Sequence, residues 1–321
     1  MSHFTVIIEL PASTEVENYA AELERRLARY DEELVVEPYR DYWESTDPRS
    51  HWSFEHVYDS DAMRTVAPGV AAEDITLAQF VDAYNARYNS DPSESRAQVD
   101  AESGRVYQMS VSNPDAKWDW WTIGGRWRGH FIAVEKMSSD DAQLVLLSES
   151  AWMNENLTLA ERACDGGPIR LLDFDAMRAD AVRKAEERCT TYERAIEGTP
   201  DATSWSDMLA AHDDVDEARE RYREQPRVQA LAAAFDKFSF GCKIDEFKWG
   251  RDIYVERARL SAVPGYAYLT YDDEWLSPGD MGWFGLSSDT VESREAYDVA
   301  VNGRIASVDP NTVLVLVDCH I

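Results

Sequence analysis

The sequence predicts an α+β fold: a central mixed or antiparallel sheet with helices on one face and a helical insertion. The chain closes with Val313–Val317, an unbroken apolar run, which is typical of a strand covered on both faces. It opens with a strand–helix–strand pattern, and residues 170–240 carry apolar residues at helical spacing. We therefore expect residues 1–169 and 241–321 to form the two parts of an α+β core, with residues 170–240 as a helical subdomain.

The first elements follow from local patterning. Phe4–Leu10 predicts a strand, and apolar residues recur at helical spacing from Val16 to Tyr30, with Ser13 or Thr14 as the N-cap. Leu34–Val36 then predicts a second strand. This order indicates a β-α-β start of the ferredoxin-like type.

The later elements alternate between strands and helices. Asp74–Tyr88 predicts a helix capped by Asp74, and Val291–Val301 predicts another. The residues from Phe174 to about Phe238 predict three successive helices; their acidic cluster favours a solvated face, with a partner-docking arm as the alternative. Strands are predicted at Gly104–Val111, Gln143–Leu147, Ile253–Val263, Tyr266–Tyr271 and the C-terminal run.

The segment Lys117–His130 is the most distinctive part of the chain, with four tryptophans in fourteen residues. Its Gly124-Gly125 pair predicts a two-residue hairpin turn, since both central positions of such a turn need positive φ. In that register Asp119 lies opposite His130. Trp121 likewise lies opposite Arg128, which predicts a cation–π pair.

Alternation along the predicted hairpin creates a candidate site on one face. Asp119 and His130 are candidates for an acid–base pair, since a carboxylate fixes an imidazole tautomer. Guanidinium forks match phosphate oxygens, so the residues expected to hold a ligand here are Lys117, Trp121, Arg126 and Arg128. The alternative is that the hairpin only packs the core and that Asp119 and His130 form a structural pair.

Two further groups supply candidate residues. Asp318 and His320 share one face at the end of the last predicted strand, and we include both as catalytic candidates. Trp283 lies among glycines that allow close approach of a ligand or of another strand. His51 and His56 lie in an aromatic stretch without a recognisable ligand spacing, so we expect neither a metal nor an organic cofactor.

Composition excludes several classes of protein. The formal net charge of −29 argues against nucleic-acid binding and against an anionic membrane surface, both of which need a cationic footprint. The four cysteines are scattered, unlike a zinc cluster or a secreted disulfide framework. No apolar run approaches the length of a membrane span and no signal-peptide pattern is present, so we expect a cytoplasmic protein.

Several blocks of this chain resemble a family of proteins from phages and actinobacteria to which no activity is assigned. The blocks are Asn113-Pro114, Lys117–Trp121, Ile123–Trp127, Met281–Gly285 and Asp318–Ile321. They span the second two-thirds of the chain and are absent from residues 1–100. The resemblance implies a phage-associated origin and supplies no catalytic role.

Two functions remain open on the sequence alone. The first is a cytoplasmic binding protein directed at a host protein, including a defence protein, or at a small anionic ligand. The second is an enzyme that acts on a phosphorylated or otherwise anionic small molecule through Asp/His pairs and arginines. The oligomeric state is not predicted by any pattern in the chain.

Overall fold

A computed structural model describes residues 2–89, 95–148, 161–235, 243–282 and 286–321. The strands are β1 (His3–Leu10), β2 (Tyr39–Tyr42), β3 (Gln98–Val99), β4 (Val106–Ser110), β5 (Trp120–Ile123), β6 (Phe131–Ile132), β7 (Ala163–Cys164), β8 (Gly166–Pro168), β9 (Ala267–Leu269), β10 (Trp275–Leu276) and β11 (Val313–His320). The helices are α1 (Tyr19–Leu27), α2 (Phe54–Tyr58), α3 (Asp61–Val66), α4 (Leu77–Tyr88), α5 (Ser139–Ala142), α6 (Phe174–Ile196), α7 (Trp205–Ala210), α8 (Val215–Glu224), α9 (Pro226–Ala234), α10 (Lys243–Glu246), α11 (Arg251–Leu260) and α12 (Val291–Ser307). The predicted α+β class is confirmed.

The chain divides into two compact units, which we describe separately. Unit 1 comprises residues 1–28 and 117–321, and unit 2 comprises residues 29–116. The predicted helical segment does form a succession of helices, but it belongs to unit 1 together with the sheet. The division therefore falls at residues 28 and 117, and not at the boundaries that the sequence pattern indicates.

Unit 1 is built on a mixed sheet in the order β10-β9-β1-β11-β5, with β8 also paired to β11. The first and last strands are central neighbours and run antiparallel over their whole length, from His3 opposite His320 to Leu10 opposite Val313. On its other side β1 pairs in parallel with β9. The apolar C-terminal run is therefore a central strand, as its composition predicts.

One face of this sheet packs against α12. Leu314 and Leu316 of β11 are fully buried and share a core with Val301 and Ile305 of α12. Beyond this core on the same face, Glu9 is also fully buried and receives two hydrogen bonds of 2.7 Å from the guanidinium of Arg304. The helix is thus fixed to the sheet by apolar packing and by one buried ion pair.

Unit 2 contains the small sheet β2-β4-β3 and helices α2, α3 and α4. Its apolar clusters centre on Phe54, Val57 and Phe80 and, beside β4, on Val81 and Val106. Helix α4 begins with a complete capping box formed by Thr76 and Gln79. The capping residue is thus Thr76, two positions after the predicted Asp74.

Three predicted strands take other conformations. Residues 34–36 form no strand, and Val35 is 73% exposed, so the ferredoxin-like β-α-β start is wrong. Residues 251–260 form helix α11, which packs on α6; its polar residues pair at helical spacing, as between Arg259 and Glu256. The predicted strand at 143–147 is reduced to a single bridge between Leu146 and Gly166.

Among the described residues, no helix is long and apolar enough to cross a bilayer.

Candidate functional site

Two rows of polar side chains cross one face of the unit 1 sheet at the end where β1 begins and β11 ends. In the first row His3 lies opposite His320, which lies opposite Trp120. In the second row Thr5, Asp318 and Thr122 are aligned in the same way. Because side chains two residues apart share a face of a strand, both rows lie on the face that packs against α12 further along.

His3 and Asp318 form a buried pair. The Nδ1 atom of His3 lies 2.9 Å from Oδ1 of Asp318, and the two side chains are 5% and 0% exposed. The other carboxylate oxygen, Oδ2, accepts the backbone N–H of Arg126 at 2.9 Å. Each oxygen of this buried carboxylate therefore has a hydrogen-bond donor, as burial requires.

His320 and Asp119 form a second pair nearer the surface. Nδ1 of His320 lies 2.6 Å from Oδ1 of Asp119, with side-chain exposures of 13% and 31%. The backbone N–H of Asp119 also donates to the carbonyl oxygen of His320 at 2.9 Å. The carboxylate is thus fixed next to the imidazole by the same two backbones that hold the sheet edge together.

The two pairs are in direct contact. The imidazole rings of His3 and His320 meet edge to face with their centroids 4.8 Å apart. Trp120, which is 37% exposed, lies 6.0 Å from the first ring and 6.5 Å from the second. We call the group formed by His3, Asp119, Trp120, Asp318 and His320 the twin-histidine site.

The Gly124-Gly125 pair does not form the predicted hairpin. Both glycines have positive φ, 69° and 51°, but a 3-10 helix follows over Gly125–Trp127. Strand β5 pairs with β11, whereas Phe131 and Ile132 pair with β7. The backbone instead approaches two buried carboxylates: a Cβ on Gly125 would lie 2.4 Å from Oδ2 of Asp318, and one on Gly124 would lie 2.8 Å from Oδ1 of Asp165.

His130 is not the partner of Asp119, so the predicted acid–base pair is wrong. Its Nε2 lies 3.1 Å from the carbonyl oxygen of Val263, so it donates a proton to that oxygen. Burial lowers the pKa of His130, although this hydrogen bond and the charge of Asp165 oppose the shift. A neutral imidazole fixed to a backbone carbonyl is a packing element, and the incorrect register explains the error.

The predicted ligand-binding residues are dispersed. Lys117 is paired with Asp280 at 3.0 Å, and Trp121 lies opposite Cys319 in the row of the other sheet face. The predicted cation–π contact between Trp121 and Arg128 does not occur among the described residues. The Nε atom of Arg128 is buried without a hydrogen-bond partner, and Trp283 lies outside the described residues.

Within the part of the chain that the structure describes, the backbone of one predicted ligand-binding residue, Arg126, contacts the twin-histidine site directly. Its backbone N–H donates to Asp318, and the residue is exposed. Its guanidinium forms no ion pair or hydrogen bond within the described part of the chain. The guanidinium is therefore not engaged by another described residue.

The arrangement has a definite chemical consequence. An ionised carboxylate only accepts hydrogen bonds, so each Nδ1 in the two pairs carries the proton and each Nε2 is left as the basic nitrogen. In its neutral form each imidazole can then accept a proton at Nε2, and in its imidazolium form each can donate one from the same atom. No set of three or more His, Cys, Asp or Glu side chains placed to hold a metal occurs in the described ranges.

His3 and Trp120 are the members of the twin-histidine site that sequence reasoning missed, and for His3 the sequence holds a usable signal. The sequence identifies Asp318 and His320 from their shared strand face, and Asp119 from the tryptophan-rich segment. The expected pairs were Asp119 with His130 and Asp318 with His320, whereas the structure pairs Asp119 with His320 and Asp318 with His3. The usable signal is the mirrored spacing of His3-Phe4-Thr5 at the start of the first strand and Asp318-Cys319-His320 at the end of the last. Antiparallel pairing of those two strands brings the two polar ends together.

Comparison with known proteins gives no match to any family model, curated protein or solved structure.

Proposed function

We propose that this protein is an enzyme that acts on a small anionic molecule, such as a phosphate ester, by acid–base chemistry at the twin-histidine site. The observation that carries the proposal is the contact between two imidazoles, 4.8 Å apart, each bound at Nδ1 to its own carboxylate. A carboxylate that holds a catalytic imidazole fixes its tautomer and stabilises the imidazolium that forms on proton uptake.

The two histidines differ in their access to a substrate. His320 and Asp119 are partly exposed, whereas His3 and Asp318 are buried beside them. Among the described residues, the Nε2 atom of His320 has no hydrogen-bond partner. We assign His320 as the base that accepts, at Nε2, the proton of the attacking water, and His3 as the acid that in its imidazolium form gives a proton to the leaving oxygen. Return of one proton from His320 to His3 restores both rings.

Arg126 supplies the attraction for an anion. A guanidinium carries a fixed charge and matches the oxygens of phosphate or carboxylate groups. In a chain with a formal charge of −29, a local cation beside the site also decides which small anions approach it.

The test is a consumption assay with a defined panel of nucleoside monophosphates, sugar phosphates and synthetic aryl phosphate mono- and diesters, followed by mass spectrometry. We expect the wild type to consume at least one class and His320→Gln to be slower by roughly 100-fold or more. His56→Gln is the matched control, because His56 is exposed and lies in unit 2. Equal rates for His320→Gln and the wild type, or no consumption of any panel member, would contradict the proposal.

A second candidate function is binding of a host protein, as the phage-like sequence blocks also favour. The observation behind it is an exposed face of the unit 2 sheet, on which Arg40 lies 4.7 Å above the ring of Tyr107 and Arg105 lies 4.7 Å above that of Tyr42. Met109 on the same face is 40% exposed. Tyrosine, arginine and methionine are enriched at protein interfaces.

This second function predicts a partner that depends on that face. A pull-down from bacterial lysate with the wild type should retain a protein that is lost with Tyr107→Ala but kept with His320→Gln. A set of captured proteins that is the same for wild type and Tyr107→Ala would argue against it.

A further inference from the structure

We infer that the backbone of the Gly124–Arg126 turn positions the His3–Asp318 pair, so that this backbone controls the tautomer of His3 without itself contacting a substrate. This inference rests on the proposed function for its catalytic meaning. Its structural content, however, concerns only how Asp318 is held, and that can be measured without a substrate.

Asp318 depends on the turn for half of its hydrogen bonding. The carboxylate is fully buried, and its two oxygens accept one hydrogen bond each, from Nδ1 of His3 and from the backbone N–H of Arg126. Loss of the Arg126 donor would leave a buried carboxylate oxygen without a partner, which is costly. The carboxylate would then have to rotate or take up a proton, and either change alters its hydrogen bond to His3.

The turn also fits against the carboxylate sterically. A Cβ on Gly125 would lie 2.4 Å from both Cβ and Oδ2 of Asp318 and 2.8 Å from its Cγ. These are distances at which the carboxylate itself must move. The φ of Gly125, +51°, is in the left-handed region that glycine tolerates best. The missing side chain of Gly125 therefore allows the turn to lie directly against the Asp318 carboxylate.

A second buried carboxylate holds the other side of the same turn. A Cβ on Gly124 would lie 2.8 Å from Cγ of Asp165. Asp165 is fully buried and accepts the backbone N–H groups of Gly129 and Ser148, each at 2.6 Å. The turn therefore lies between two buried carboxylates, which leaves it little room to follow Asp318 if that side chain moves.

The consequence for His3 concerns its tautomer. While Asp318 is ionised and oriented by Arg126, it accepts the Nδ1 proton of His3 and leaves Nε2 as the basic nitrogen. If Asp318 is displaced, the oxygen that now accepts the Nδ1 proton of His3 at 2.9 Å moves away from it. The turn is thus a positioning element for one of the two imidazoles.

The first experiment records nitrogen–proton NMR spectra of the imidazole rings in Gly125→Ala and in a control, Gly198→Ala. Gly198 also has a positive φ, +73°, but an added Cβ there meets nothing within 4 Å. We expect Gly125→Ala to shift His3 from the Nδ1–H tautomer to a mixture, and Gly198→Ala to leave it unchanged. The ring of His320, which is held by Asp119, should keep its tautomer in both variants.

A second pair of variants separates the backbone donor from the side chain. Arg126→Ala and Arg126→Pro both lack the guanidinium, but only proline lacks the N–H. We expect the His3 tautomer to change in Arg126→Pro and to stay as in the wild type in Arg126→Ala. An unchanged His3 spectrum in both Gly125→Ala and Arg126→Pro would overturn the inference, whatever the enzyme assays show.

Hydrogen exchange of the wild-type Arg126 amide decides the matter if those variants fail to fold. We expect this amide to exchange at least tenfold more slowly than an unbonded turn amide, because Asp318 accepts its proton. Exchange at the unprotected rate would overturn the inference. A slow amide together with an inactive wild type would retain the positioning role and refute only the proposed function.

Discussion

Three buried carboxylates of unit 1 differ in how their charge is compensated. Glu9 receives two hydrogen bonds from Arg304 and one each from Tyr268 and the N–H of Tyr271. Asp318 has one donor for each oxygen. Asp298 has an oxygen, Oδ1, that is buried without a partner. At neutral pH the charges of Glu9 and Asp298 therefore change the free energy of unfolding in opposite directions.

Asp298 is expected to destabilise the protein at neutral pH. Burial raises the pKa of Asp298 to about 6; Arg294 opposes this shift and Glu295 adds to it. Because the folded state holds this proton more tightly than the unfolded state, stability falls as the pH rises from about 4 to about 6. We predict that Asp298→Asn raises the free energy of unfolding at neutral pH by roughly 1–3 kcal/mol. Urea unfolding should show this gain shrinking toward about pH 5, and a gain independent of pH would contradict the assignment.

Glu9 has the opposite effect. Burial by itself would raise the pKa of Glu9, but hydrogen bonds from Arg304, Tyr271 and Tyr268 hold it below its ordinary value. Its contribution is therefore present above the unfolded-state pKa and is lost as the pH falls through the lowered folded-state value. We predict that Glu9→Gln lowers the free energy of unfolding by about 2–4 kcal/mol at neutral pH.

The control for this prediction is Glu256→Gln, which removes an exposed helical pair with Arg259. Exposed pairs contribute about 0–1 kcal/mol. A loss for Glu9→Gln no larger than that of the control would show that the buried ion pair does not fix α12 to the sheet.

At the scale of single elements, the sequence predicts what local pattern determines. The first strand, the last strand and α12 were predicted from the local sequence pattern alone, the last strand from its unbroken apolar run, and each is present. The Gly124-Gly125 turn could not be predicted, because the carboxylates that it approaches come from Asp165 and Asp318, far away in the chain. A hairpin and this turn share the same requirement for positive φ, so local sequence does not separate them.

In the candidate site, too, local pattern identifies residues but does not determine how they pair. Asp119, Asp318 and His320 were identified as residue types near strand ends, which is local information. Their pairing was not predicted, because it depends on the register of three strands: β11 is hydrogen-bonded to β1 on one side and β5 on the other. The pair of Asp119 with His320 spans two such strands, so a wrong hairpin register gave a wrong partner.

The start of α4 provides a prediction at this scale. The Thr76 hydroxyl oxygen accepts the N–H of Gln79 at 3.3 Å, and the N–H of Thr76 donates to Oε1 of the Gln79 side chain at 3.0 Å. We predict that Thr76→Ala lowers the free energy of unfolding of unit 2 by about 1 kcal/mol. Asp74→Ala, at the position that the sequence pattern had favoured, should have less effect. The reverse order in thermal unfolding would contradict the observed cap.

At the scale of the whole molecule, residues 29–116 of unit 2 interrupt the chain of unit 1. Within each unit, hydrogen bonds join the two chain segments that end at this insertion. In unit 1 the indole N–H of Trp118 donates to the carbonyl oxygen of Leu27 at 3.1 Å. In unit 2 the amide of Asn113 donates to the carbonyl oxygens of Arg29 and Asp31 at 2.8 and 2.9 Å. The two ends of each unit at the insertion are thus adjacent, which is typical of inserted domains.

This arrangement predicts that residues 29–116 fold on their own. The segment is contiguous and has its own apolar clusters around Phe80 and Val106. Expressed alone, it should give dispersed NMR spectra and a cooperative thermal transition. Spectra of an unfolded chain would show that unit 2 requires unit 1 for its stability.

The twin-histidine site lies wholly within unit 1. The most direct test of its two Asp–His pairs is to measure which nitrogen of each imidazole carries the proton and how fast that proton exchanges. Nitrogen–proton NMR spectra of the wild type should show His3 and His320 with the proton on Nδ1, protected from exchange by Asp318 and Asp119. The exposed His56 serves as the internal reference and should exchange rapidly. If His3 and His320 instead carry the proton on Nε2, or exchange as fast as His56, the two pairs do not exist in solution and the proposed acid–base chemistry has no structural basis.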